Sequence, residues 1–204
     1  MAYDPNFYRM YAEYLKEDTV RASHNLVFDQ FQRLARGDLR VVDLGCGLGE
    51  FWQYGAPARY MGVDVNDIEG LRGSFQLIQT DYHDLQKLSQ LLKHRFVIPF
   101  LPNAFVSLFS VECFHSVQER YELYKKVFET FPTIEFGLAG GFFYEGKRGQ
   151  ETVSESGDII SHQTIEDPWL HTSDLFTELR MHIRTPSRMF GQDVVEVWKF
   201  FNRR

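Results

Sequence analysis

With 204 residues, 44% of them hydrophobic and 25% charged, the chain has the composition of a soluble globular protein and the length of one domain around one buried core. Its formal net charge is −6 and its basic runs stop at Lys147-Arg148 and Arg203-Arg204, which argues against nucleic acid as a partner, because a phosphate backbone is met by clustered Lys and Arg. Two cysteines without CxxC spacing, Cys46 and Cys113, exclude a zinc ribbon or a disulfide scaffold, and no apolar run approaches the roughly 20 residues that span a bilayer.

The start, Met1-Ala2-Tyr3-Asp4-Pro5, lacks the basic and apolar stretches of a signal peptide, so a cytoplasmic chain without a membrane partner is expected. Phe7, Tyr11, Tyr14 and Leu15 fall at helical spacing. A second helix is expected after Asp18-Thr19, with Val27, Phe31 and Leu34 on one face and Gly37 as its stop. Residues 1–37 thus read as a helical cover on a single domain spanning 1–204. The apolar run Leu39 to Leu44 predicts a buried strand, and a short helix follows from Glu50 to before Pro57. Strands are expected at Tyr60–Val65, Phe75–Gln79 and Ala104–Phe109, with a helix over Leu85–Leu92. Ser116-Val117-Gln118-Glu119 has the form of a capping box, and the helix behind it ends by Pro132. A fifth strand is expected from Thr133 to Ala139, closed by Gly140-Gly141. Residues 145–171 form a polar insert in which Thr152-Val153 and Ile159-Ile160 suggest a hairpin. Ser173 to Met181 reads as a late helix, followed by strands near His182–Thr185 and Val194–Phe201.

Alternating strands and helices indicate a doubly wound α/β domain. The expected sheet is seven-stranded and mostly parallel, with an antiparallel hairpin at one edge. In such folds ligands sit at the carboxyl ends of the strands. The segment Val41-Val42-Asp43-Leu44-Gly45-Cys46-Gly47-Leu48-Gly49-Glu50 runs a strand into a glycine-rich turn and then a helix. Its spacing is GxGxG, and Glu50 stands where the dinucleotide fingerprint GxGxxG has its third glycine. A carboxylate there disfavours a pyrophosphate and tolerates a ligand that carries a positive charge instead.

This segment resembles the first motif of the class I S-adenosyl-L-methionine (SAM) dependent methyltransferases, in the Rossmann-like branch that handles small molecules. The resemblance extends over about residues 39–135. It implies a SAM cofactor, methyl transfer to a small-molecule acceptor, and a site containing Asp43, Gly45, Cys46 and Gly47 around the methionine part. Asp64, at the end of the second strand, would accept both ribose hydroxyls, with Val65 and Asn66 walling the adenosine. Asp81 would accept from the adenine amino group and Tyr82 would donate its backbone N–H to the ring. Ser110 and Val111 would line the pocket. Glu112 and His115 are the ionisable residues nearest the reaction centre, His115 as general base or only as an organiser of the following helix. From the cover, Tyr14 is a candidate for closing the pocket and Arg21 for binding the SAM carboxylate. Tyr8, Tyr11 and His24 offer similar chemistry, against the plainer reading that they are core.

No metal site is expected and oligomeric state is not legible. Trp169, His171 and His162 in the insert either shape an acceptor pocket or decorate a surface hairpin. Two alternatives of other classes stand beside the enzyme. One is a non-catalytic SAM-binding module or regulatory subunit. The other, disfavoured by Glu50, is an NAD-dependent oxidoreductase.

Overall fold

In the computed structural model the described residues are 5–35, 38–55, 59–67, 75–94, 99–108, 117–144, 151–153, 159–161, 174–189 and 192–204. Helices α1 (Pro5–Tyr14) and α2 (Asp18–Leu34) precede β1 (Arg40–Leu44). There follow α3 (Glu50–Gly55), β2 (Arg59–Asp64), β3 (Gln76–Gln79), α4 (Leu85–His94) and β4 (Ala104–Leu108). Then come α5 (Val117–Thr130), β5 (Phe136–Tyr144), the hairpin β6 (Glu151–Val153) and β7 (Ile159–Ser161), β8 (Phe176–Met189) and β9 (Gln192–Arg203).

Seven strands form one sheet in the order β3-β2-β1-β4-β5-β9-β8. The pairs among the first five are parallel, and β9 runs against both β5 and β8. The expected mostly parallel sheet with an antiparallel edge is what the chain forms. The order reverses between β1 and β4, which opens a crevice at their carboxyl ends. β6 and β7 pair with each other in a separate two-stranded sheet.

Alternation along the strands sorts the core into two clusters. Val41 of β1 and Val106 of β4 pack with Val27, Phe28 and Phe31 of α2 and with Phe51 of α3. Val42, Leu44 and Phe105 face the other way, against Leu88 and Leu92 of α4 and Val127 and Phe128 of α5. Each fully buried Val, Leu or Phe side chain contributes about 1.5–3 kcal/mol.

Three sequence expectations are corrected. The expected late helix over Ser173–Met181 is strand from Phe176 onward. Phe176 and Leu179 fit a helical i, i+3 spacing, but Leu179, Met181 and Ile183 alternate, and a long antiparallel pairing with β9 satisfies this backbone. The fifth strand begins at Phe136 rather than Thr133 and runs through both glycines. Gly140 is needed inside the strand because a Cβ there would come within 2.4 Å of the Trp198 ring. Leu34 does not share the buried face of Val27 and Phe31 and is 48% exposed, while Val20 and His24 complete that face. Leu34 closes the last turn of α2, where Ala35 takes the inward position.

Candidate functional site

The site grows from the turn between β1 and α3. Gly45, Gly47 and Gly49 adopt φ of 66°, 47° and 72°, the left-handed region that other residues enter only at a cost. The turn is pinned to β2, since the Gly45 and Cys46 N–H groups donate to Val63 O at 2.8 and 3.0 Å. Gly49 also yields space, because a Cβ there would lie 2.1 Å from the Phe75 ring. Gly47 is different: among the described residues a Cβ would meet only Tyr8 of α1, at 3.6 Å. Among those residues its backbone is therefore covered by Tyr8 alone.

Asp64 ends β2 against this turn. Its Oδ2 accepts the Gly47 N–H at 2.9 Å and its Oδ1 accepts the Asn66 N–H at 2.8 Å. Burial pushes its pKa up, opposed by the hydrogen bonds from Asn66 and Gly47. Burial first, and Asp64 second, push the Tyr8 hydroxyl pKa up, against the hydrogen bond with the Asn66 side chain.

Asp43 sits at the floor of the crevice, on the face of β1 that looks towards α1 and α2, and is 1% exposed. The Tyr60 hydroxyl, one strand over, donates to its Oδ2. Its Oδ1 is buried with no hydrogen-bond partner among the described residues. Burial, with Glu50 and Asp64 nearby, pushes its pKa up to about 8 against the help of Tyr60. A buried acceptor of this kind calls for a donor, and a cationic one most of all.

Behind the turn lies a second polar cluster. Glu50, the first residue of α3, is 3% exposed and turned into the core. His24 Nδ1 of α2 pairs with Glu50 Oε1, and His24 Nε2 pairs with Glu196 Oε1 of β9 at 2.9 Å. Tyr11 of α1 donates to Glu50 Oε2 at 2.5 Å. Glu196 also accepts from the Tyr14 hydroxyl at 3.3 Å and from Trp198 Nε1 at 3.1 Å. Burial pulls the His24 pKa down, but the two carboxylates outweigh it and hold it at about 10.

The structure thus brings Asp43, Gly45, Cys46, Gly47 and Asp64 together. Val65 stands next to them, 39% exposed, its carbonyl accepting from Gln79 Nε2. One strand further out, Asp81 is exposed and its Oδ1 accepts from the His83 N–H at 2.8 Å and from the His83 ring at 3.0 Å. Partial burial acts to raise the Asp81 pKa, but the His83 hydrogen bonds hold it below the ordinary range. Tyr82 packs against His83 with ring centroids 4.3 Å apart and the planes tilted by 33°. Tyr14 directs its hydroxyl to Glu196, behind the turn, and Arg21 is solvent-exposed on α2. Ser110, Val111, Glu112, His115 and the insert residues His162, Trp169 and His171 lie outside the described residues. Among the described residues no group of three or more His, Cys, Asp or Glu is placed to hold a metal ion, and no helix is long and apolar enough to cross a membrane.

The sequence reading missed Tyr60, Glu196 and the real setting of Glu50. Tyr60 could have been found from strand parity, being two residues before Gly62, which pairs with Asp43. An acid inside Val194-Val195-Glu196-Val197-Trp198 was a visible signal of a buried partner. Glu50 was read as a charge facing the ligand, whereas its carboxylate is held by His24 and Tyr11. A cavity of about 780 Å³ lined by Phe31, Leu34, Glu135, Phe136, Phe200 and Asn202 lies where β5 begins and β9 ends, at the opposite end of the sheet from the glycine turn.

No protein-family model and no curated protein sequence matches the chain. Solved structures do match in shape. The 1,6-didemethyltoxoflavin-N1-methyltransferase of Burkholderia thailandensis, with bound 1,6-didemethyltoxoflavin and S-adenosylhomocysteine (SAH), aligns at 12% identity and a TM-score of 0.56, over 100% of this chain and 91% of that one. The methyltransferase domain of bacterial CtHen1-CN aligns at 16% identity and 0.53, over 91% and 100%. The N-methyltransferase NodS of Bradyrhizobium japonicum WM9, in complex with SAH, aligns at 14% identity and 0.51, over 92% and 89%. The chain has the fold of the class I SAM-dependent methyltransferases.

Proposed function

We propose that the protein binds SAM at the ends of β1 and β2 and transfers its methyl group to a small-molecule acceptor. The carrying observation is the meeting of three features at the topological switch point: the left-handed glycine turn, the buried partnerless Asp43 Oδ1 and the oriented Asp64 carboxylate. These fit SAM. Asp43 Oδ1 is an acceptor for the methionine ammonium, and Gly47 lets the backbone approach the amino-acid part. The Asp64 carboxylate, oriented at the end of β2, suits vicinal ribose hydroxyls. Val65, Asp81 and Tyr82 are assigned to the adenine side, and Ser110 and Val111 to the wall under the methyl.

When bound, the cofactor supplies a sulfonium methyl already activated for attack by a nucleophilic oxygen, nitrogen or carbon. The chain's own part is to exclude water and align the pair, which alone accounts for much of such catalysis. Glu112 and His115 are assigned to the acceptor side, His115 as the candidate proton acceptor. Glu50 in place of the third fingerprint glycine disfavours the NAD-dependent reading.

Calorimetric titration with SAH, with NADH alongside, tests the proposal. Micromolar binding of SAH alone is expected and opens a screen of small acceptors for methyl transfer. A folded protein that binds NADH and not SAH overturns it.

A further inference from the structure

The cofactor turn is not held only by its own hydrogen bonds. Glu50 follows directly on Gly49, so the position of its side chain constrains the last residue of the turn. That side chain is gripped from two separate helices, by Tyr11 of α1 and by His24 of α2. His24 is itself anchored to the distant edge of the sheet through Glu196 of β9, which Trp198 and Tyr14 also hold. The His24 ring packs edge-on against Trp198, at 5.1 Å between centroids, which fixes its plane. The same α1 that supplies Tyr11 carries Tyr8 over Gly47, one helical turn earlier, where the two side chains share a face.

We propose that Tyr11, His24, Glu50 and Glu196 form a buried clasp that fastens the N-terminal cover to the cofactor turn, so that His24 and Tyr11 act as positioning residues for the amino-acid end of the bound cofactor. Opening the cover and loosening Gly45–Gly49 are then one event. Removing Tyr11's hydrogen bond leaves Glu50 held by His24 alone, loosens the turn behind it, and moves the Tyr8 wall with the helix. Two carboxylates and one imidazolium make this coupling strong, because leaving any member unpaired in the core is costly. In its ligand-binding consequence the proposal rests on the SAM reading of the site; in its coupling of cover and turn it does not.

The test uses the full chain with Tyr11→Phe, His24→Gln and, as a control that destabilises elsewhere, Val127→Ala on α5. Two readouts are taken: hydrogen exchange of residues 45–49 without ligand, and affinity and dissociation rate for SAH. Tyr11→Phe should speed exchange across 45–49 and raise the SAH Kd by about tenfold or more, mostly through faster dissociation, the effect of one hydrogen bond to a charged group. His24→Gln should do more. If it fails to fold, Tyr11→Phe alone decides. Val127→Ala should lower the melting temperature while leaving 45–49 exchange and SAH affinity as in the unmodified chain. Unchanged exchange in Tyr11→Phe overturns the clasp, as does an equal effect from Val127→Ala. If the unmodified chain binds no SAH while Tyr11→Phe still speeds exchange at 45–49, the clasp stands and the SAM reading falls.

Discussion

On the α4–α5 side of the sheet, Phe105, Tyr124, Phe128, Phe176 and Phe201 interlock, with Phe128 stacked on Phe176 at 5.1 Å and Phe201 edge-on to Phe176 at 5.3 Å. Among the described residues the buried charged groups that strand alternation assigns to that side, or that α5 carries, are the cations Lys199 and Arg120 and the carboxylate oxygens of Glu178. On the α1–α3 side, aromatic packing is interrupted by acids: Asp43, Glu50, Asp64 and Glu196, with His24 between two of them. Burying a carboxylate is costly, and the rise of Asp43 to about 8 is a direct sign of that cost. One face therefore supplies stability by ring packing. The other accepts a penalty where the glycine turn is, which suits a ligand that brings positive charge.

The largest expected effect breaks the ring face. Phe128→Ala should cost about 3–5 kcal/mol, the usual result of emptying a large buried ring site, seen by chemical denaturation. A loss under about 1 kcal/mol would contradict the division of labour between the faces. Gly49→Ala comes next. It pays about 1–2 kcal/mol for a left-handed alanine and must displace Phe75 as well, so both stability and SAH binding should fall. Asp64→Asn should weaken SAH binding about tenfold or more, the worth of a hydrogen bond to a charged group, and takes the acceptor from one of the Gly47 and Asn66 N–H groups. Unchanged calorimetric affinity would remove Asp64 from the site.

The last effect is a pH dependence with an unusual sign. His24 is raised from 6.5 to about 10, so its contribution is complete below pH 6.5 and fades as pH climbs to about 10. Asp43 is raised from 3.8 to about 8, so its neutral form adds stability that fades between those values. Melting temperature should therefore decline towards alkaline pH. His24→Gln should flatten the upper part of the decline and Asp43→Asn the lower part. A melting temperature that rises from pH 7 to 10 would refute the protonated His24 flanked by Glu50 and Glu196.

The parallel half of the fold was legible because each strand there is short, apolar and followed by its own punctuation: Gly45 after Leu44, Asp64 after Val63, and Thr80-Asp81 after Gln79. The turn and Asp64 were legible for the same reason, since a positive φ and a strand-end carboxylate leave local marks. The edge was harder. Phe176 to Met181 satisfies helix spacing and strand alternation over a short window, and only the partner β9 decides between them. Tyr14 was read as closing the pocket because it lies on the N-terminal cover, and Glu50 as a charge facing the ligand because it follows the turn. The direction in which each side chain points depends on His24 and Glu196, which lie 172 residues apart.

The sequence alone determined the class of the fold, the place of the glycine turn and the carboxylates that end β1 and β2, because each is written in a run of a few neighbouring residues. Tertiary structure decided that Asp43 is buried beside Tyr60, that Glu50 faces inward, and that α1, α2 and β9 close one polar cluster behind the turn. Those facts depend on burial and on which distant group arrives as partner, and neither has a local period or motif.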